Sequence, residues 1–164
     1  MSACAITVDG VLRKVVGYAP IPLGIQLYNA LATQFQVVLL SDERGDEKGG
    51  IKYWLDIEGL HEHSNVVFST IIMDDLHPSN RRLYQLDSSG YDVELVVEPD
   101  PSISAYVMEN GYNTLTFSHA AYSLPSWRPD YQETVAPWAD LEQQVAHNAM
   151  LRAQDRRHEV SDTS

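Results

Sequence analysis

The chain has little positive charge. Lys and Arg total 11 against 23 Asp and Glu, which gives a formal net charge of -12 over 164 residues. Such an acidic surface repels the phosphate backbone of nucleic acids and the anionic face of membranes, so we expect neither general nucleic-acid binding nor membrane docking. To bind a small phosphorylated ligand, the protein would need a local positive site or a bound cation. Binding of a positively charged protein partner is compatible with the negative charge.

The chain also lacks a second cysteine and a long apolar run. With Cys4 alone, no intrachain disulfide can form. No apolar run approaches the roughly 20 residues that span a bilayer, and no basic region precedes the first apolar stretch as it would in a signal peptide. Hydrophobic residues make up 44% of the chain, enough for a core of its own. We therefore expect one soluble cytoplasmic domain.

Short apolar, β-prone runs alternate with segments of helical spacing. The run 37–40 is continuous, which is typical of a strand covered on both faces. Strands are predicted over residues 3–8, 36–40, 65–70, 93–98 and 113–117. Helices are predicted between them over residues 22–34, 51–58, 79–88 and 102–110. This order predicts an α/β fold with a doubly wound, mainly parallel five-stranded sheet and helices on both faces.

Apolar spacing also predicts which helix faces meet the sheet. Leu23 is expected on the core face of the first helix and Ile57 on that of the second. A C-terminal helix is expected to pack on the sheet through Trp138, Leu141, Val145 and Ala149. We accordingly divide the chain into an α/β domain (1–136), a C-terminal helix (137–158) and a polar tail (159–164).

Polar residues follow several of the predicted strands. Ligands of doubly wound sheets bind beyond the carboxyl ends of the strands. The residues expected there are Asp9, Gly10, Ser41, Asp42, Glu98 and Asp100, with Arg81 and Arg82 preceding the fourth strand. Acidic groups can hold Mg²⁺, while a hydroxyl and a basic group hold phosphate oxygens. These are therefore the residue types that a phosphoryl-transfer site uses.

The order of these residues resembles the motifs of the haloacid-dehalogenase superfamily. That family carries Asp-x-Asp-Gly-Thr/Val after strand one, Ser or Thr ending strand two, Lys or Arg before strand four, and an acidic group after it. Residues 6–12 resemble the first motif with Thr7 in place of the leading aspartate, 39–42 the second, and 98–101 the fourth. Residues 118–122 and 126–130 resemble a loop of members from actinobacteriophages. The resemblance covers roughly four-fifths of the chain.

The resemblance implies that the first motif carries the chemistry. In the family, the leading aspartate attacks phosphorus and forms an aspartyl-phosphate. Thr7 occupies that nucleophile position here. The second aspartate, Asp9, is implied to act as general acid and then base, with its backbone carbonyl facing Mg²⁺. Too few residues separate Gly10 from Pro22 for a helical cap, so a capless member with a small flap at 12–16 is expected.

The other motifs imply phosphate and metal ligands. Ser41 would bind the phosphoryl oxygens together with Arg81 or Arg82, and Arg82 is preferred. Glu98 or Asp100 would join Asp9 as a ligand of Mg²⁺, and the other of the two would cap the next helix. Replacing the first carboxylate by a threonine weakens this metal site, because a hard dication requires negatively charged oxygens.

The threonine also changes the expected function. Its hydroxyl is a poor nucleophile, and a threonine phosphate is a stable ester that would trap the enzyme after one turnover. We therefore expect a degenerate phosphatase-type protein that binds a phosphorylated ligand or a protein partner, in the host cytoplasm if a phage encodes it. Two alternatives stay open: an active Mg-dependent phosphatase on a nucleotide, nucleic-acid end or phosphoprotein, and an acidic protein-interaction module. The oligomeric state is also open.

Overall fold

A five-stranded parallel sheet forms the centre of the fold. It is seen in a computed structural model that describes residues 1–45, 50–118, 142–143, 145–151 and 153–154. The strands are β1 (Ala3–Thr7), β2 (Gln36–Arg44), β3 (His63–Ser69), β4 (Val93–Glu98) and β5 (Thr114–Thr116). Their spatial order is β3-β2-β1-β4-β5. The chain therefore starts at the centre, winds to one edge and then to the other, which confirms the predicted doubly wound sheet.

Helices cover both faces of this sheet. They are α1 (Pro22–Ala32), α2 (Ile51–Ile57), α3 (Pro78–Ser88) and α4 (Pro101–Glu109), with a short 3₁₀ helix at Ile71–Met73. Tyr28 of α1 and Leu55 of α2 pack in one apolar core. Leu86 of α3 and Val107 of α4 pack in a second core. Successive β1 residues alternate between the two cores, as the pleat of a strand requires, and all five are buried.

The starts of α3 and α4 combine a proline with a side-chain cap. Pro78 and Pro101 stand at the first helical positions, where no backbone N–H is needed. The Asp100 carboxylate accepts hydrogen bonds from the N–H groups of residues 102 and 103. At α3 the cap is the His77 ring, which accepts from the N–H of Ser79. Both helices thus begin one residue before the predicted positions.

The inward face of α1 differs from the predicted one. Leu23 is 63% exposed, whereas Gly24 and Tyr28 are buried. The helix approaches the loop after β1 so closely that a Cβ on Gly24 would lie 1.6 Å from the carbonyl oxygen of Val11. Only glycine permits this approach, so a residue without a side chain selects the buried face. In α2, Ile57 is likewise exposed instead of buried.

We expect Gly24→Ala to lower the free energy of unfolding by about 3 kcal/mol, since the added methyl group meets backbone that has to shift. Urea denaturation measures the loss. Gly17→Ala is the control, because its Cβ would meet no atom within 4 Å. It should lose only about 1 kcal/mol, from its positive φ. Equal losses in the two variants would contradict the close approach.

Two of the four side chains expected to pack a C-terminal helix on the sheet are exposed. Residues 142–143, 145–151 and 153–154 are helical, but Val145 is 54% exposed and Ala149 is exposed as well. Helical spacing shows which residues share a face, but not whether another element covers that face. Trp138, Leu141 and the predicted tail 159–164 lie outside the described residues. Among the described helices, none has the length and apolarity needed to cross a membrane.

Candidate functional site

The predicted motif residues meet at the carboxyl ends of the three central strands. Thr7 ends β1, which lies between β2 and β4. Its hydroxyl donates a hydrogen bond of 2.7 Å to Oε2 of Glu98, the last residue of β4. Thr7 is 2% exposed and Glu98 is 1% exposed. The residue predicted to occupy the nucleophile position is therefore a buried hydrogen-bond donor.

Arg82 of α3 connects this pair to β2. Its Nε donates to Oε2 of Glu98 at 3.0 Å, and its Nη2 donates to Oδ2 of Asp42 at 3.2 Å. The third guanidinium nitrogen, Nη1, donates to Oε1 of Gln85 at 2.6 Å. Gln85 in turn donates from Nε2 to the carbonyl oxygen of Ser41 at 2.8 Å. One buried arginine therefore ties α3 to the ends of two strands.

Burial and charge act in opposite directions on Glu98. Burial raises the pKa of this carboxyl group, whereas the charge of Arg82 and the hydrogen bond from Thr7 lower it in part. A buried carboxylate is stable only when it is paired and hydrogen-bonded. Arg82 and Thr7 provide these partners, so the three residues depend on one another.

A second buried arginine lies beside this network. Arg13 donates from Nε to Oδ1 of Asp9 at 2.6 Å and from Nη2 to Oε1 of Glu43 at 2.7 Å. Its guanidinium carbon lies 4.1 Å from the centre of the Tyr18 ring and 5.5 Å from that of the Trp54 ring. Burial raises the pKa of Asp9, and the hydrogen bond and charge of Arg13 lower it in part. Asp9 is therefore held in an ion pair.

The loop after β1 forms a small hairpin. The N–H of Lys14 donates to the carbonyl of Ala19, and the N–H of Ile21 donates to the carbonyl of Leu12, both at 2.8 Å. The flap expected at 12–16 is thus part of a longer hairpin. At its base, Gly10 has a φ of 97°, and a Cβ there would lie 2.6 Å from Pro99. This turn requires glycine for both reasons.

The structure brings some of the predicted site residues together and leaves others apart. Thr7, Arg82 and Glu98 form one contact network. The hydroxyl of Ser41 accepts a hydrogen bond from the N–H of residue 43, within the same strand. Asp100 caps α4 through its side chain, and its N–H donates to Oε1 of Glu98 at 3.3 Å.

Arg81 does not join the network of Arg82. Its Nε is buried without a hydrogen-bond partner, and it has no ion pair with any described residue. Arg82, the arginine preferred from the sequence, contacts Glu98 instead of lying free. The phosphate-binding roles assigned to both arginines stay predictions.

Three residues that take part in the contacts of the two buried arginines were not predicted from the sequence: Arg13, Glu43 and Gln85. Gln85 follows Arg82 by three positions in α3, so helical spacing places it on the same face. Glu43 follows Ser41 by two positions, which puts both on one face of a strand, but β2 was expected to end at Leu40. Arg13 lies in a hairpin without a periodic signal.

Both side-chain carboxyl groups predicted to bind Mg²⁺ are already engaged, Glu98 with Arg82 and Asp100 with the start of α4. Asp9 was expected to face Mg²⁺ through its backbone carbonyl, and its carboxylate pairs with Arg13. Within the part of the chain that the structure describes, no three or more His, Cys, Asp or Glu side chains are grouped to hold a metal ion. These residues do not fit Mg²⁺ in this arrangement. Binding of Mg²⁺ stays a prediction.

Two clefts in the described part are lined by residues outside the network of Thr7, Arg82 and Glu98. One of about 490 Å³ is lined by residues of α3, α4 and the C-terminal segment, including Ser79, Tyr106 and His147. The other, of about 370 Å³, lies between α2 and β3 and includes Lys52 and His63. The buried network around Thr7 contributes to neither of them.

Comparison with protein-family models returned no match, and comparisons with curated proteins and with solved structures returned none either.

Proposed function

We propose that this chain is a degenerate phosphatase-type protein of the haloacid-dehalogenase kind, which binds a protein partner and has little or no turnover. The hydrogen bond between Thr7 and Glu98 carries the proposal. It joins two almost fully buried groups at the positions that the motifs assign to the nucleophile and an acidic metal ligand. Both groups are used to hold strands together, which favours a structural role over a chemical one.

The neighbouring contacts support binding of a protein over binding of phosphate. Arg82 already binds two carboxylates, and the Ser41 hydroxyl already accepts a backbone N–H. The groups expected to hold phosphate oxygens are therefore occupied by the chain itself. Val16 and Tyr18 of the hairpin remain exposed, and the net charge of -12 favours a basic partner.

Binding of a phosphorylated ligand is a second candidate because of Arg81. Its buried Nε has no hydrogen-bond partner within the part of the chain that the structure describes, and guanidinium nitrogens are suited to bidentate recognition of phosphate. It belongs to the first half of α3. Such a ligand would contact the protein outside the buried network of Thr7, Arg82 and Glu98.

An active phosphatase is the third candidate, since a hydroxyl hydrogen-bonded to a carboxylate at 2.7 Å is also the geometry of a nucleophile and its base. Two facts oppose it. The charge of Arg82 lowers the basicity of Glu98, and the burial of Thr7 leaves a phosphate ester no access to its oxygen. A phosphothreonine would in addition be too stable to hydrolyse.

We expect the native chain to hydrolyse an aryl phosphate in MgCl₂ no faster than its Asp9→Asn variant at equal purity. Release of the aryl alcohol is followed from the first seconds, so that a single stoichiometric burst is visible. Continuous turnover that Asp9→Asn abolishes would show an active phosphatase. A burst of one equivalent would show that a side chain of the protein is phosphorylated, and either result would contradict the proposal.

Inorganic phosphate, titrated into the same preparations, distinguishes the two binding functions. The proposal predicts no rise in melting temperature for the native chain. A rise that disappears in Arg81→Met but persists in Arg44→Met would favour the phosphorylated ligand. Arg44 is the matched control, because it is an exposed arginine paired with Asp74.

A further inference from the structure

Each of the two buried arginines bridges two carboxylates from different parts of the chain. Arg82 joins Glu98 to Asp42. Arg13, which is 2% exposed, joins Asp9 to Glu43. A divalent cation does the same in metal-dependent sites, where it holds carboxylates together and neutralises them.

The contacts of Glu43 show that both of its carboxylate oxygens are already engaged. Its Oε1 accepts from Arg13, and its Oε2 accepts from the N–H of Ile51, the first residue of α2, at 3.1 Å. On the other side, Oδ1 of Asp9 accepts from Nε of Arg13 at 2.6 Å. A metal ion would need these oxygens at about 2.0–2.6 Å and would have to displace the guanidinium group.

Aromatic side chains hold Arg13 in this position. Its guanidinium group lies against the rings of Tyr18 and Trp54. Trp54 also donates from Nε1 to the carbonyl oxygen of Tyr18 at 2.9 Å, which ties α2 to the hairpin. An arginine stays charged at every physiological pH, and it stacks on aromatic faces better than a hydrated ion does. The positive charge is therefore a permanent part of the fold.

We propose that Arg13 supplies from within the chain the positive charge that a divalent cation supplies in metal-dependent phosphotransfer sites. The native chain then holds Asp9 and Glu43 together without Mg²⁺. Replacing Arg13 by a neutral side chain leaves two carboxylates facing one another, and these form a new site for a divalent cation.

The test compares native chain, Arg13→Met and Arg44→Met in thermal unfolding, first in EDTA and then in rising MgCl₂. We expect no metal response from the native chain or from Arg44→Met, which loses an exposed arginine. Arg13→Met should melt lower in EDTA and recover in MgCl₂. Calorimetric titration should show Mg²⁺ affinity at least about tenfold above that of the native chain, since a repelling charge is gone.

Two results would overturn the proposal. The first is Mg²⁺ binding by the native chain that Asp9→Asn abolishes. The second is a folded Arg13→Met, with native far-UV circular dichroism, that gives no response to Mg²⁺. If Arg13→Met does not fold, calorimetric titration of Mg²⁺ into the native chain and into Asp9→Asn decides. The proposal is supported if neither protein gives a heat of binding. It is overturned if the native chain gives a heat of binding and Asp9→Asn does not.

Discussion

Arg82→Met is expected to lower the free energy of unfolding by about 3–5 kcal/mol, because it leaves the carboxylate of Glu98 buried without its cation. For a domain of this size, such a loss lowers the melting temperature by about 6–20 °C. The methionine fills much of the same volume, so the lost ion pair dominates the effect. Urea denaturation at neutral pH measures it.

The loss in Arg82→Met should depend on pH. Burial already raises the pKa of Glu98 above its ordinary value of 4.5, and removing Arg82 removes the largest opposing influence. The folded variant then keeps a proton that the unfolded chain releases above the ordinary carboxyl pKa. Its stability therefore falls as the pH rises from that value towards neutrality, and its deficit relative to the native chain is smallest in acid.

Two further variants separate the ion pair from other effects. Arg44→Met removes an exposed ion pair with Asp74 and should change the stability by no more than about 0.5 kcal/mol. Adding Glu98→Gln to Arg82→Met removes the buried charge and should recover part of the loss. A deficit in Arg82→Met that is independent of pH and unchanged by Glu98→Gln would show that Glu98 does not depend on Arg82.

Thr7→Asp is expected to destabilise the chain by a similar amount, about 3–5 kcal/mol in EDTA. The Thr7 hydroxyl now donates to Glu98 at 2.7 Å, whereas an ionised carboxylate has no proton to donate. Two buried carboxylates would then compete for Arg82. Added MgCl₂ should restore part of the stability, because a hard dication binds a close pair of carboxylates. Urea denaturation in EDTA and in MgCl₂ measures both effects.

The matched control is Thr7→Val, which keeps the shape of the side chain and removes only the hydroxyl. It should lose about 1.5–3 kcal/mol, the range for a hydrogen bond to a charged group, and should not respond to MgCl₂. A Thr7→Asp variant as stable as the native chain in EDTA would mean that Thr7 and Glu98 are not in contact.

Local sequence patterns were sufficient for the order and type of the elements. The strand predicted at 93–98 coincides with β4, and the four predicted helices between strands are all present. A continuous apolar run such as 37–40 requires cover on both faces, and the structure provides two cores. These properties depend on neighbours in the chain, so they can be read from the sequence.

The ends and faces of elements depended on contacts between distant residues. β2 continues past Leu40 to Arg44, because Arg44 pairs with Ser69 of the neighbouring strand. The extension is polar, so no apolar pattern could indicate it. The face of α1 was decided by the approach of Gly24 to Val11, a contact of backbone atoms that hydropathy does not describe.

For the candidate site, the sequence alone determined the residue types at the strand ends, including Thr7 at the end of β1 and Glu98 at the end of β4. It could do so because a residue at the end of a predicted parallel strand lies where the carboxyl ends of the neighbouring strands also lie. Only the tertiary structure decided how these groups are paired. Arg13 meets Glu43 across 30 positions and Thr7 meets Glu98 across 91, so each pair forms only when the strands lie side by side. Charge pairing depends on distance in space, which a linear pattern does not contain.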